Sequence, residues 1–379
     1  MLITKHLLLE ISLTIFIRLS LAQISVTTAS GTRAPVGPFR RGQLIFEDNF
    51  EFLDHEKWEH ENTMAGGGNN EFQFYTNNRS NSYCEDGKLH IVPTPFGLDT
   101  GEDFLRSGTL DIHGGQPADY CTNHANNGCL RTGTQESILP PIKSARMRTV
   151  QSFNFKYGIL EIRAKNPTGD WLWPALWLMP KKSVYGTWPS SGEIDLMEAR
   201  GNLKVVEPDG KDMGVQRVES TLHFGPSWYL NGFYLTNFET HRDEGFNNDF
   251  HVYRLGWTET TMEFSVDNKV IGFVNASETG GFWKRGLFDE KEPGRDNPWK
   301  HGTIMAPFDQ EFFIIMNVAV GSTVYFGDDL INDPEKPWRN DDEFAMTKFW
   351  DARNDWLPTW NIGTDSSHLQ VDYVRVYAL

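Results

Sequence analysis

The chain is short of positive charge. It carries 35 basic residues against 51 acidic ones, for a formal net charge of −16 over 379 residues. A surface of that sign repels phosphate backbones and anionic lipid, which excludes nucleic acid and membrane as partners. Long apolar runs are also scarce. Only Leu7–Leu21 approaches a membrane span, and Glu10 and Arg18 interrupt it. With Lys5 and His6 before it and Ser20-Leu21-Ala22 closing it, the run reads as a signal peptide over residues 1–22, so the protein is expected to be secreted. There are only three cysteines. In an oxidising compartment Cys121 and Cys129 close a small disulfide loop across the turn residues Asn126-Asn127-Gly128, and Cys84 is left over. The sequons at Asn78 and Asn275 fit a secreted glycoprotein.

Helical periodicity is missing as well. Residues 23–42, rich in Ser, Thr, Gly and Pro, read as a flexible lead-in. From there on no linker or repeat interrupts the chain, so residues 43–379 read as one domain. Strand-like segments recur between turn signals, among them Ile159–Ala164, Trp171–Met179, Val252–Trp257, Met262–Val266, Lys269–Val274, Glu311–Val320 and Val371–Tyr377. Asp267-Asn268 joins two of them as a hairpin. The pattern predicts an all-β fold, a sandwich of two antiparallel sheets.

Aromatics are what the chain has in excess: 13% of residues, with 13 Trp and 26 Phe. Three indoles (Trp171, Trp173 and Trp177) share one face of Trp171–Pro180, opposite a row of aliphatics. Pro174 cannot donate to a ladder, so a bulge or an edge is expected there. In Glu311–Gly321 one face carries Ile314, Met316, Val318 and Val320. The other carries Asn317, Ala319 and Gly321, small enough to floor a groove.

Between these stretches lies Gly192-Glu193-Ile194-Asp195-Leu196-Met197-Glu198. On a strand, Glu193 and Asp195 point opposite to Ile194 and Leu196. A regular strand would bury Glu198 with the aliphatics, which is costly for an unpaired carboxylate. One extra residue bulging near Met197 returns Glu198 to its partners' face. Three acids in a row, flanked by indoles on which sugar rings stack, match what glycosidic bond cleavage by two carboxylates needs.

The motif Glu-Ile-Asp-Leu-Met-Glu resembles the signature of family 16 glycoside hydrolases. The two residues between Asp195 and Glu198 give its longer form, typical of β-1,3-glucanases (laminarinases). Trp173-Pro174-Ala175-Leu176-Trp177, Trp188-Pro189, Thr221-Leu222-His223, Asn317–Gly321 and Val371–Tyr377 are similar to further family segments. The resemblance implies a jelly-roll with a substrate groove on its concave sheet, and hydrolysis that retains configuration. It assigns Glu193 as nucleophile, Glu198 as acid/base and Asp195 as the residue tuning Glu193. Trp173, Trp177, Trp188, His223, Asn69 and Arg146 would contact a β-1,3-glucan. The reaction requires no cofactor. Some members hold a structural calcium ion far from the groove, and Gly87 and Asp372 fall in the matching region. The implied protein is a monomeric, secreted endo-β-1,3-glucanase. The resemblance extends to invertebrate β-1,3-glucan recognition proteins, which share the fold and often lack the acids; a recognition protein with little hydrolysis is the alternative.

Overall fold

In the computed structural model, which describes residues 24–379, two large antiparallel sheets form a jelly-roll sandwich. The signal reading of residues 1–22 lies outside the described residues. The first sheet runs in the order Thr28–Ser30, Asn154–Lys156, Phe312–Val320, Leu172–Pro180, Glu193–Ala199, Arg217–His223, Asn237–His241. Arg146–Arg148 also pairs with Phe312–Val320, and Glu59–His60 pairs in turn with Arg146–Arg148. The second sheet runs Lys269–Asn275, Thr261–Val266, His251–Trp257, Gly158–Lys165, Leu369–Tyr377, Lys88–Ile91, Ser82–Glu85. Leu44–Asp48 adds to Leu369–Tyr377.

Alternating side chains build the core. In Gly158–Lys165, Leu160, Ile162 and Ala164 are fully buried while Glu161 and Arg163 stand out. Leu176, Leu178, Ile194, Ile314, Met316 and Val318 supply the facing layer. Burying such rows contributes about 25 cal/mol per Å² of apolar surface. Asp267 and Asn268 have φ of 49° and 65°, the left-handed pair that a two-residue hairpin turn needs. The longest helix among the described residues, Ala345–Asp351, has 7 residues.

The structure corrects three expectations. Residues 23–42 are not a flexible lead-in where they are described: Thr28–Ser30 pairs with Asn154–Lys156, and Phe39 joins the core. A three-residue strand whose partner is far away in sequence leaves no periodic trace. Pro174 is not at a sheet edge. It lies in an internal strand, opposite Val318 and just past the last registered pair with the acid strand, Ala175 with Glu198. Trp171 does not join the indole face. With φ +67° it precedes the strand and packs, fully buried, against Phe326 and Trp338.

Candidate active site

The acid strand Glu193–Ala199 lies between the tryptophan strand Leu172–Pro180 and Arg217–His223. It starts at Gly192, which has φ +83°. A Cβ there would come within 2.9 Å of Phe308 Cε1, so only glycine fits. Trp177 pairs with Asp195 and Leu176 with Met197, so Leu196 has no partner on that side. On the other side Asp195 pairs with Thr221 and Glu198 with Glu219, so Leu196 and Met197 together oppose Ser220. This is the bulge that the spacing of the acids predicts. Buried Ser220 donates its hydroxyl to the Leu196 carbonyl at 2.7 Å, satisfying an oxygen the ladder has freed. Leu196 and Met197 both sink into the core, and Glu193, Asp195 and Glu198 share the outer face.

Each glutamate is held by an indole. Trp188 Nε1 donates to Glu193 Oε2 at 2.9 Å. Trp173 Nε1 donates to Glu198 Oε1 at 2.9 Å. Trp173 is itself fixed by a parallel stack on Tyr325, centroids 3.9 Å apart, and the Arg200 guanidinium lies 4.0 Å from the Tyr325 ring centre. Trp188 is 41% exposed, so its ring is open to a ligand. Trp177 donates to Asn317 Oδ1 at 2.7 Å, which orients the indole on the groove floor.

His223 faces the acids. Asn231 Nδ2 lies 2.7 Å from His223 Nδ1 and can only donate to it. A ring proton is therefore assigned to Nε2, which sits 3.3 Å from Asp195 Oδ2 and 3.9 Å from Glu193 Oε1. Phe233 stacks on the imidazole at 5.4 Å. Beyond it Trp228, Tyr229 and Tyr234 form an exposed aromatic ridge.

The three acids resist ionisation. Burial first, then the Asp195 charge, pushes Glu193 up to about 8, while His223, the Trp188 N–H and Arg146 oppose the rise. Burial and the charge of Glu219 raise Asp195 well above the usual carboxylate range. Glu198 is raised in the same direction by burial, Asp195 and Glu219. Burial and neighbouring like charges thus disfavour the ionised forms of all three carboxyls.

The two other expected ligand contacts, Arg146 and Asn69, are each tied to the protein. Arg146 is buried beneath Trp177, its guanidinium 5.2 Å from that ring. It is engaged by Glu61 at 3.5 Å, Glu71 at 3.6 Å and the Tyr75 hydroxyl at 3.3 Å. A buried guanidinium must be paired, and these partners meet that need. Asn69 sits on the groove-edge loop, where its carbonyl accepts from Ser322 Oγ at 2.6 Å. Asn70 donates to Thr323 Oγ1, so the loop is tied down at two points.

Sequence reasoning missed Glu219 and Tyr325. Glu219 alternates with Arg217, Thr221 and His223 on one strand face, a pattern that a longer strand assignment reveals. It is held by Arg217, Asn237 and the Tyr325 hydroxyl. Tyr325 lies in a loop and carries no periodic signal.

Away from the groove, Cys121 and Cys129 form a disulfide with Cα atoms 5.6 Å apart. Cys84 is half-buried, and burial pushes its thiol up to about 12. Asn78 is exposed, whereas Asn275 caps a short helix by accepting from Ser277 N. Gly87 and Asp372 do not fit a calcium ion. Asp372 Oδ2 lies 2.5 Å from Arg163 Nη1, so a guanidinium already neutralises the carboxylate a cation would use. Among the described residues no helix is long and apolar enough to cross a membrane.

The family model for "Glycosyl hydrolases family 16" matches residues 118–284. A β-1,3-glucan-binding protein of Penaeus monodon is 48% identical over 342 residues, covering 89% of this chain and 90% of that protein. β-1,3-glucan-binding protein 1 of Galleria mellonella is 36% identical over 89% of this chain, which spans only 64% of that longer relative. Glucan endo-1,3-beta-glucosidase A1 of Niallia circulans is 34% identical over 90% of this chain and 39% of its own length. Among solved structures, the laminarinase from Rhodothermus marinus aligns with TM-score 0.55 and 24% identity, over 89% of this chain and 97% of that one. That likeness bears on the fold.

Proposed function

Because this chain belongs to family 16 of the glycosyl hydrolases, we propose that it is a secreted endo-β-1,3-glucanase that cleaves laminarin-type glucan with retention of configuration. One observation carries the reading: Glu193 and Glu198 share the groove face across a bulge, each anchored by an indole N–H, with Asp195 between them.

In this reading the glucan lies across the outer face of the first sheet, its rings against Trp188, Trp177 and the ridge at Trp228–Tyr234. Glu198, kept protonated by burial and by the charges of Asp195 and Glu219, gives its proton to the leaving glycosidic oxygen. Glu193 attacks the anomeric carbon and forms a glycosyl ester. His223 Nε2 and Trp188 Nε1 favour the ionised form of Glu193 that this attack needs. Glu198, now a carboxylate, takes a proton from water, and the water attacks the anomeric carbon from the face the leaving group left, releasing Glu193 as carboxylate. Asp195 is a positioning residue within the row.

The test is release of reducing ends from laminarin by the purified protein, with Glu193→Gln as control. We expect turnover that the substitution reduces by about 10³-fold or more. Absence of turnover from pH 4 to about 8 would sink the enzyme reading. A second reading, glucan recognition with little hydrolysis, is favoured by the names of the Penaeus and Galleria relatives. It expects binding to insoluble β-1,3-glucan without new reducing ends, unchanged by Glu198→Gln.

A further inference from the structure

A second convergence of donor atoms lies on the other sheet. His90 sits in Lys88–Ile91 between the core residues Leu89 and Ile91, and therefore points to the opposite face. Gln370 is its register partner on Leu369–Tyr377. His368 closes over it from the turn that precedes that strand. His90 Nδ1 and His368 Nδ1 are 3.1 Å apart, and Asp365 Oδ1 is 3.4 Å from His368 Nδ1. One donor atom from each of the three residues lies within 4.8 Å of the others.

We propose that His90, His368 and Asp365 form a binding site for a divalent transition-metal ion of the zinc class. The spacing fits. Tetrahedral zinc with bonds of about 2.0–2.1 Å places neighbouring donors about 3.3 Å apart. Two imidazoles and a carboxylate are a zinc-type donor set, with a fourth position left for water or another ligand. Hydrogen bonding alone explains the arrangement poorly. Two neutral rings meeting through Nδ1 share one proton at most, and the Asp365 oxygen converges on the same point. Three electron-rich atoms thus have a single proton among them. His90 Nε2 is buried without a hydrogen-bond partner, so the ring is not oriented by its far side.

The surroundings hold the donors in place. Tyr83 stacks on His90 with centroids 4.9 Å apart and planes within 6°. Gln370 Nε2 donates to Asp365 Oδ2 at 3.0 Å, turning the other oxygen toward the histidines. Thr364 caps the short turn bearing Asp365 by accepting from Ser366 N. A bound ion would staple the turn at Thr364–His368 to the strand Lys88–Ile91.

The full chain, purified free of metal, is titrated with Zn²⁺ by calorimetry and with Co²⁺ by visible absorption. We expect one saturable site, a tetrahedral Co²⁺ spectrum and a Zn²⁺-dependent rise in Tm. His90→Gln and His368→Gln should each weaken the site by roughly 100-fold and remove the rise. His223→Asn, which changes one of the two other clusters of donors, that of Glu193, Asp195 and His223, should leave it intact. No saturable binding, or binding unchanged by His90→Gln, overturns the proposal. Should the variants fail to fold, X-ray absorption of the zinc-loaded native chain decides: two imidazole ligands support the site, and an oxygen-only shell overturns it.

Discussion

His223 ties the electrostatics of the groove to something measurable. Its Nε2 lies near both Glu193 and Asp195, and its presence lowers the pKa of Glu193. Replacing it with Asn removes that help, so Glu193 needs a higher pH to ionise. The acidic limb of kcat/KM for laminarin should move up by about 0.5–1 pH unit. An unmoved limb would mean that His223 does not act on Glu193. The acids were legible in the sequence because alternation and the cost of burying a carboxylate together demand the bulge. The pairing of Arg146 was not legible because its partners Glu61, Glu71 and Tyr75 lie 71 or more residues away, as the Tyr75 bond illustrates. No local pattern announces that a basic residue is already paired.

Among the elements, the bulge in the acid strand governs whether Glu198 faces substrate or core. Ser220 holds its freed carbonyl. Ser220→Ala leaves that buried oxygen without its donor, which should lower stability by about 1–2 kcal/mol in denaturant titrations. Relaxing the bulge also shifts Glu198, so kcat should fall more than KM changes. Equal stability with a normal kcat would show that the strand keeps its register without the hydroxyl. The long strands were readable from their two-residue period, as Gly158–Lys165 shows. Thr28–Ser30 and the internal place of Pro174 were not, because both depend on which distant strand lies alongside.

For the whole molecule, the groove is a source of pH-dependent stability. Glu193, Asp195 and Glu198 all have raised pKa values in the fold. The native state therefore keeps protons that the unfolded chain has lost. This contribution is full below the unfolded carboxyl value, near 4.5, and fades as pH rises through the folded value, about 8 for Glu193. Thermal unfolding should accordingly show Tm falling from pH 5 toward pH 8, roughly. Glu193→Gln should flatten that slope and add about 1–3 kcal/mol at the alkaline end. A slope that the substitution leaves unchanged would place the titrating groups elsewhere. At this scale the sequence reveals two sheets but not their strand order, since crossovers between distant segments decide it. Leu369–Tyr377 is the clearest case: it stands between Gly158–Lys165 on one side and both Lys88–Ile91 and Leu44–Asp48 on the other. Synthesis is vectorial, so the ribosome delivers this strand after every segment it joins. Until then the nascent chain presents several open ladder edges at once, the state most prone to pairing with a neighbour. The middle of the second sheet is thus completed only after the strands that flank it.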